Sequence, residues 1–375
     1  MAAQKTPLYE AHLALGGKMA DFAGWEMPLW YGQGQVAEHH ATRNQCGLFD
    51  ICHMGEFKIE GEQTLSFLQG MVTNNIEKIA DGQASYNFLL NEQAGVIDDC
   101  ILYRFREDKW MMVVNASNME ADFDWLAEHA PKSITLVNIS SQIAKIDIQG
   151  PVAPKVMAQW IDHDILSGLK FFRFLPKVQI ENMEVLVSRT GYTGEVGFEL
   201  YVQADQAVTL WNLLLEKGKA FGIQPCGLGA RDTLRTEAGL PLHGHELSPE
   251  IVSAGHPWMF AIDMEHDFIG KTALIRAIEN HKHPHVYPFT LDGRRKAMSG
   301  WEVLSENEVI GQVVSGVIAP TLENKPIGFM RVNRPLEVDA VLSFRQPGRD
   351  AVLAGKVVSS PFVSGTARKK INLFL

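Results

Sequence analysis

Between residues 83 and 114 apolar and polar positions alternate in short runs broken by turn residues. The alternation predicts a strand near Ser85 to Leu90, a turn at Asn91 to Gly95, and a strand from Val96 to Phe105. After a charged turn a third strand follows from Trp110 to Val114, completing an antiparallel meander. Upstream, Thr6-Pro7 precedes Leu8, His12, Leu13 and Leu15 and is closed by Gly16-Gly17. This N-cap, early proline and glycine stop predict a short first helix. A second helix is expected to end at Gly47. Helical spacing near Asn118 to Ala130 and Gln206 to Phe221 interleaves with strands near Ile143 to Ile148, Glu184 to Arg189 and Gly197 to Val202. That mixture predicts an α+β body built on antiparallel sheets. Beyond Tyr287 the texture turns to short strands, such as Glu308 to Ser315 and Val338 to Arg345, separated by Gly and Pro turns as in a small β-barrel or sandwich.

The change of texture divides the chain into residues 1–280 and a separate C-terminal region, residues 281–375, with His281-Lys-His-Pro-His285 read as a solvated linker. A length of 375 residues, 46% apolar and 21% charged, supports a sizeable core in two or three units of roughly 150 residues. The net charge of -10 argues against nucleic acid as a partner. No stretch approaches the ~18 apolar residues of a membrane span, and no basic segment leads into an apolar run at the start. A cytoplasmic protein without a membrane partner is expected. Cys46, Cys52, Cys100 and Cys226 form no CxxC pair, so reduced thiols are expected and no structural metal is.

Asp98-Asp99 carries the sharpest chemical signal, because acids are depleted from strands and these two interrupt Val96-Ile97-x-x-Cys100-Ile101-Leu102-Tyr103. With a period of two, Asp99 shares a face with Ile97, Ile101 and Tyr103, and Asp98 lies opposite with Val96 and Leu102. At least one acid must face the interior, where it needs donors, a cation or a ligand to offset desolvation. A turn cap or a structural arginine would also account for it.

Two further clusters stand out. Ser188-Arg-Thr-Gly-Tyr-Thr-Gly-Glu-Val-Gly-Phe-Glu-Leu-Tyr201 places three glycines ahead of a strand bearing Glu199. A carboxylate there suits paired N–H donors such as those of a pterin, with Tyr192 near enough to stack, although a plain glycine-rich hairpin fits as well. Cys226-Gly-Leu-Gly-Ala-Arg-Asp-Thr-Leu-Arg-Thr-Glu-Ala-Gly239 opens a helix with Arg231 and Arg235 at i, i+4. Asp232 stands where a dinucleotide fingerprint needs its third glycine, and no clear strand precedes the turn. An internal Arg/Glu network is the alternative. His243 and His245, around Gly244, read as structural histidines because no third ligand lies at a fitting distance.

Taken in order, Thr6-Pro7-Leu8-Tyr9, Asp21-Phe-Ala-Gly-Trp25-Glu-Met-Pro28, Gly47-Leu-Phe-Asp50, His53-Met54-Gly-Glu56, Ile97-Asp98-Asp99, Arg189-Thr-Gly-Tyr-Thr-Gly-Glu195 and Gly227-Leu-Gly-Ala-Arg-Asp232 resemble the aminomethyltransferase (T-protein) family of the glycine cleavage system. Val313 to Leu322 continues the likeness into the late β region. The resemblance implies a three-lobed, cloverleaf-like α+β fold with antiparallel sheets and a C-terminal β-barrel or jelly-roll-like domain. It implies transfer of a one-carbon unit from the aminomethylated lipoyl arm of H-protein to tetrahydrofolate, giving 5,10-methylenetetrahydrofolate and ammonia, with no metal. By the same resemblance Asp99 is the catalytic acid near the folate N5 and N10, and Glu199 and Tyr192 hold the pterin. Tyr86, Tyr103, Asn115 and Met54 line the pocket, Arg231 faces the substrate arm, and Arg368 meets the folate tail. Cys52, Ala94 and His243 depart from the serine, glycine and tyrosine usual in the family. A folate-dependent demethylase or methyltransferase acting on a small sulfonium or amine is the alternative. An iron-sulfur assembly factor of the superfamily ranks last, because its Lys-Gly-Cys-Tyr-x-Gly-Gln signature is absent.

Overall fold

The strand Ile143–Gln149 alternates Ala144, Ile146 and Ile148 with Lys145, Asp147 and Gln149, and both sets are buried. In this computed structural model, which describes residues 3–281 and 283–375, that double burial decides the architecture. The apolar set packs with Val185, Val187, Phe198, Leu200, Trp211 and Leu214 into the largest core, under the helix Ala207–Gly218. The polar set looks the other way, toward a second sheet.

Ile143–Gln149 sits inside a six-stranded sheet ordered Phe174–Ile180, Met183–Ser188, Gly197–Gln203, Ile143–Gln149, Cys46–Asp50 and Ile223–Pro225. From Asp50 the chain leaves this sheet and builds a five-stranded one, ordered Gln83–Leu90, Val96–Arg106, Lys109–Val114, Gly55–Glu60 and Thr135–Asn138. It then returns at Ile143. The expected meander is present, and its hairpin turn puts Ala94 at φ 66°, a left-handed conformation that glycine takes without strain. That accounts for the glycine usual there.

The inner faces of the two sheets meet where Ala84, Tyr103, Met111 and Val113 pack on Phe174, Leu186 and Tyr201. The late strands close into a six-stranded antiparallel barrel running from His285–Leu291 to Val352–Val357. Of the expected histidine-rich linker, Lys282 lies outside the described residues, and His283 and His285 place their rings 4.6 Å apart.

Three local expectations are corrected. The first helix is Tyr9–Ala14 with Leu8 at its N-cap, so Thr6 lies ahead of it: the Thr6 hydroxyl accepts the Leu8 N–H at 3.3 Å, before the helix begins, and donates to Asp50 at 2.6 Å. The second helix, Gln35–Asn44, ends before Gly47, which lies within Cys46–Asp50. A Cβ at Gly47 would fall 2.2 Å from the Thr42 hydroxyl, so this glycine serves close packing and not a helix stop. A three-residue strand, Ile223–Pro225, does precede the Gly227 turn, paired in parallel with Cys46–Asp50.

After the barrel the chain comes back to the first sheet. Arg189 donates to the Leu169 carbonyl at 2.6 Å, to Ala367 at 3.1 Å and to Lys369, while Ile371 is fully buried in the main core. Shortening Ile371 to Ala leaves a cavity at this anchor and is expected to cost about 2–4 kcal/mol, read as a lower urea midpoint.

Candidate functional site

The period of two along Val96–Arg106 sorts its two acids. Asp98 is fully buried on the face of Val96, Cys100 and Leu102, while Asp99 shares a partly open face with Ile97 and Ile101. Asp98 accepts the Asn115 backbone N–H at 2.9 Å, the Asn115 amide at 2.8 Å and the Asn118 amide at 2.7 Å. Asp99 accepts the Tyr86 hydroxyl at 3.0 Å and, on its other oxygen, the Asn115 amide at 3.0 Å. Asn115 therefore clamps both acids. Burial and the neighbouring Asp98 charge push Asp99 up to about 7, against the opposing hydrogen bonds from Tyr86 and Asn115. A carboxyl group poised there can hold or give up a proton near neutral pH.

Across the gap, on Gly197–Gln203, Glu199 is buried beneath three hydroxyls. Thr190 at 2.9 Å, Tyr201 at 3.1 Å and Tyr103 at 3.2 Å converge on Oε2, with the Lys145 Nζ at 3.6 Å from the same oxygen. Burial alone would raise Glu199, but Lys145, Thr190, Arg231 and Tyr201 outweigh it and hold the carboxyl below its ordinary value. Tyr103 reaches this cluster from the five-stranded sheet, so the two sheets are joined at the site itself. The loop before the strand needs small residues: a Cβ at Gly191 would lie 2.2 Å from the Gln149 amide.

The remaining expected residues fall around these two acids with one exception. Tyr192 donates its hydroxyl to the Pro241 carbonyl and lies under the Arg231 guanidinium, 4.7 Å from ring centroid to cation. Arg231 in turn donates to Asp147 at 3.1 Å. Met54 accepts a contact from Lys145 at 3.4 Å through its sulfur. Arg368 stands apart: it is exposed, over the Phe171 ring at 5.5 Å, and makes no hydrogen bond with the other expected residues. His243 and His245 are structural as expected, each bonded to a backbone carbonyl, Val96 at 3.1 Å and Val314 at 3.0 Å. The alternative for the Arg231 helix also has substance, since Arg235 pairs with Glu246 at 3.0 Å and Asp232 at 2.9 Å.

Sequence reasoning missed four residues at the site. Lys145 and Asp147 are buried on the polar face of Ile143–Gln149, where Asp147 is the register partner of Glu199. Ionic residues alternating with Ala144, Ile146 and Ile148 were the available signal. Glu56, from the His53-Met54-Gly-Glu56 motif, is buried with no donor to either oxygen among the described residues, and burial pushes it up to about 8. Asp122, on the helix Met119–His129, is fully buried and also lacks an N–H or hydroxyl donor. Burial and the Asp98 charge drive it up to about 11.

A poised acid on one sheet thus faces a charged, hydroxyl-bound acid on the other. The family model described as GCVT N-terminal domain matches residues 8–266. An aminomethyltransferase of Anoxybacillus flavithermus is 42% identical over 97% of this chain and 99% of its own, and one of Alkaliphilus oremlandii is 39% identical over 98% and 99%. The crystal structure of glycine cleavage system aminomethyltransferase T from Bartonella henselae superposes with a TM-score of 0.88, at 31% identity, covering 98% of this chain and 99% of that one. The chain belongs to the aminomethyltransferase family.

Glu56 gives the site a measurable cost. Its folded-state value of about 8 lies above the unfolded value of ~4.3, so stability is fully present below ~pH 4.3 and is lost as pH rises toward about 8. Glu56→Gln removes that loss: relative to the parent, its unfolding free energy from urea titration should gain little at pH 5 and increasingly more toward pH 8, by the order of 2–4 kcal/mol.

Proposed function

We propose that the space between the two sheets holds tetrahydrofolate, with its pterin against Glu199 and Tyr192 and its reacting nitrogens beside Asp99. The chain is an aminomethyltransferase of the glycine cleavage type. The observation that carries the site reading is the pair of carboxyls on facing sheets, Asp99 and Glu199, each fixed by named donors and each in a different electrostatic state. Glu199, held charged, suits the paired N–H donors of a pterin. Asp99, poised near neutrality, suits proton movement at nitrogen.

In the transfer, the carbon–nitrogen bond of the aminomethyl group breaks and ammonia departs, while the one-carbon unit passes from sulfur to the folate nitrogens. The departing amine and the developing methylene-iminium are cationic. A carboxylate already oriented by Tyr86 and Asn115 stabilises that charge without reorganising, and it can take up the proton released at nitrogen. Asn115, clamped by Asp98, supplies the rigidity. Tyr103 and Met54 form part of the pocket wall, and Arg231 over Tyr192 guards the side from which the lipoyl arm of H-protein enters. Arg368, exposed and apart from the other residues, is assigned to the anionic folate tail. We also assign residues 1–280 to the folate-binding region and 281–375 to the barrel region, and a cytoplasmic setting in keeping with four buried free cysteines. No helix among the described residues is long and apolar enough to cross a membrane. The names of the relatives do not favour methyl transfer from a sulfonium or amine.

Incubation with tetrahydrofolate and aminomethylated H-protein tests the reading, with methylenetetrahydrofolate and ammonia measured together; absence of both with folded protein would overturn it. Asp99→Asn keeps the volume but can neither accept a proton nor offset cationic charge. Turnover should fall by about two orders of magnitude or more with folding spared. In the parent, kcat/KM should rise as pH climbs through about 7, the range in which Asp99 ionises, and that limb should vanish in the variant. Asp98→Asn should instead lower stability more than turnover, because it disrupts the bonds to Asn115 and Asn118. Glu199→Gln should weaken folate binding in a folded protein; an unchanged dissociation constant would remove Glu199 from the pterin site.

A further inference from the structure

The ammonium of Lys145 has no ordinary reason to be where it is. The side chain is 1% exposed, at the centre of a sheet, and its Nζ meets a thioether at 3.4 Å, the Glu199 Oε2 at 3.6 Å and the Tyr201 ring at 5.3 Å. A buried cation with such modest partners is costly to desolvate and adds little packing that a methionine or leucine would not supply. Its effect lies in what it does to its neighbours.

All the protein contacts of the Glu199 carboxylate fall on Oε2: Thr190, Tyr201, Tyr103 and Lys145. No protein donor among the described residues reaches Oε1. The titratable groups facing Glu199 come from every side. Lys145 and Asp147 belong to the adjoining strand, Arg231 to the helix Leu228–Glu237, Tyr103 and Glu56 to the opposite sheet, and Tyr201 to its own strand. Two of these groups are cations, and with Glu199 there are three acids. Arg231 is already engaged by Asp147 at 3.1 Å. Lys145 is thus the cation left to Glu199.

We propose that Lys145 is a positioning residue for the pterin: its buried ammonium keeps Glu199 charged and draws Oε2 inward, so that Oε1 is presented to the ligand's N–H donors. The inference rests on the reading of Glu199 given above. Without Lys145, Glu199 would sit among Asp147, Glu56 and low-dielectric walls and would hold a proton until a higher pH. Binding of a ligand that needs the charged form would then become dependent on pH.

The test uses Lys145→Met and the oxidation-resistant probe 5-formyltetrahydrofolate, titrated by calorimetry at pH 6 and pH 9. At pH 6 the variant should bind roughly tenfold or more weakly than the parent, and by pH 9 it should approach parental affinity, since the charged fraction of a mostly protonated acid rises about tenfold with each step of one in pH. In a Glu199→Gln background the same substitution should lose this pH-dependent effect. Equal affinity at both pH values, or an equal loss at both, overturns the proposal, because a packing role would not be rescued by alkali. If Lys145→Met does not fold, the pair Lys145→Met with Glu56→Gln removes the adjacent unpartnered acid along with the cation and allows the same titration. Parental affinity in Glu199→Gln alone would defeat the pterin reading; weakened binding there, with a pH-independent Lys145→Met, would defeat this inference alone.

Discussion

The Tyr103 hydroxyl is the point on which the molecule turns. It leaves the five-stranded sheet and stands 2.8 Å from the Tyr201 hydroxyl and 3.2 Å from Glu199 on the six-stranded one. Two sheets packed face to face ordinarily meet through apolar side chains about 10 Å apart. Here the apolar contact of Ala84, Met111, Val113, Phe174 and Leu186 surrounds a polar seam. The sheets can close over that seam because the hydroxyls of Tyr103, Tyr201 and Thr190 bond one oxygen of a buried carboxylate from both sheets. A change at Tyr103 therefore acts on the packing of the sheets and on the ligand site together.

The seam shows how the protein tolerates so many buried charges. Two cations, Arg231 and Lys145, face three acids, Asp147, Glu199 and Glu56, and a second group of acids, Asp98, Asp99 and Asp122, lies across the hairpin sheet. The deficit of cations is met by protons. Glu56, with no donor at all among the described residues, and Asp122, with only a carboxylate neighbour, are the members whose charged forms burial disfavours most plainly. Their retention of protons leaves Glu199 as a charged acceptor. The arrangement costs stability, as functional sites commonly do.

Much of this is legible in the chain and some is not, for physical reasons. The meander, the barrel texture and the two faces of Asp98 and Asp99 follow from a period of two and from turn residues, which are local signals. The start of the first helix and the end of the second depart from local rules: the Thr6 hydroxyl bonds Leu8 and Asp50 ahead of the helix, and Thr42 requires a glycine beside it. Lys145 and Asp147 escape notice because Ile143 to Ile148 reads well as a half-exposed strand, with ionic residues assigned to water. Only the position of the second sheet shows that both faces are covered. Asp122 is hidden for the same reason, on a helix whose exposed residues are also charged.

What fixes the seam relative to the rest of the protein is the helix Leu228–Glu237, which makes a different commitment at each turn. Arg231, in its first turn, pairs with Asp147 and covers Tyr192. Arg235, one turn on, holds Glu246 and so the loop that carries His243. Glu237, at its end, accepts the backbone N–H of Thr321 at 2.9 Å and pairs with Arg43 at 3.0 Å and His39 at 3.2 Å. Thr321 follows directly on a barrel strand, and its hydroxyl meets His39 at 2.9 Å. Among the described residues the barrel supplies no hydrogen bond to either acid, yet it holds the last turn of the helix whose first turn carries Arg231. A rigid rod of about three turns passes any displacement at one end to the other. The barrel thereby helps to fix the helix from which Arg231 reaches Asp147.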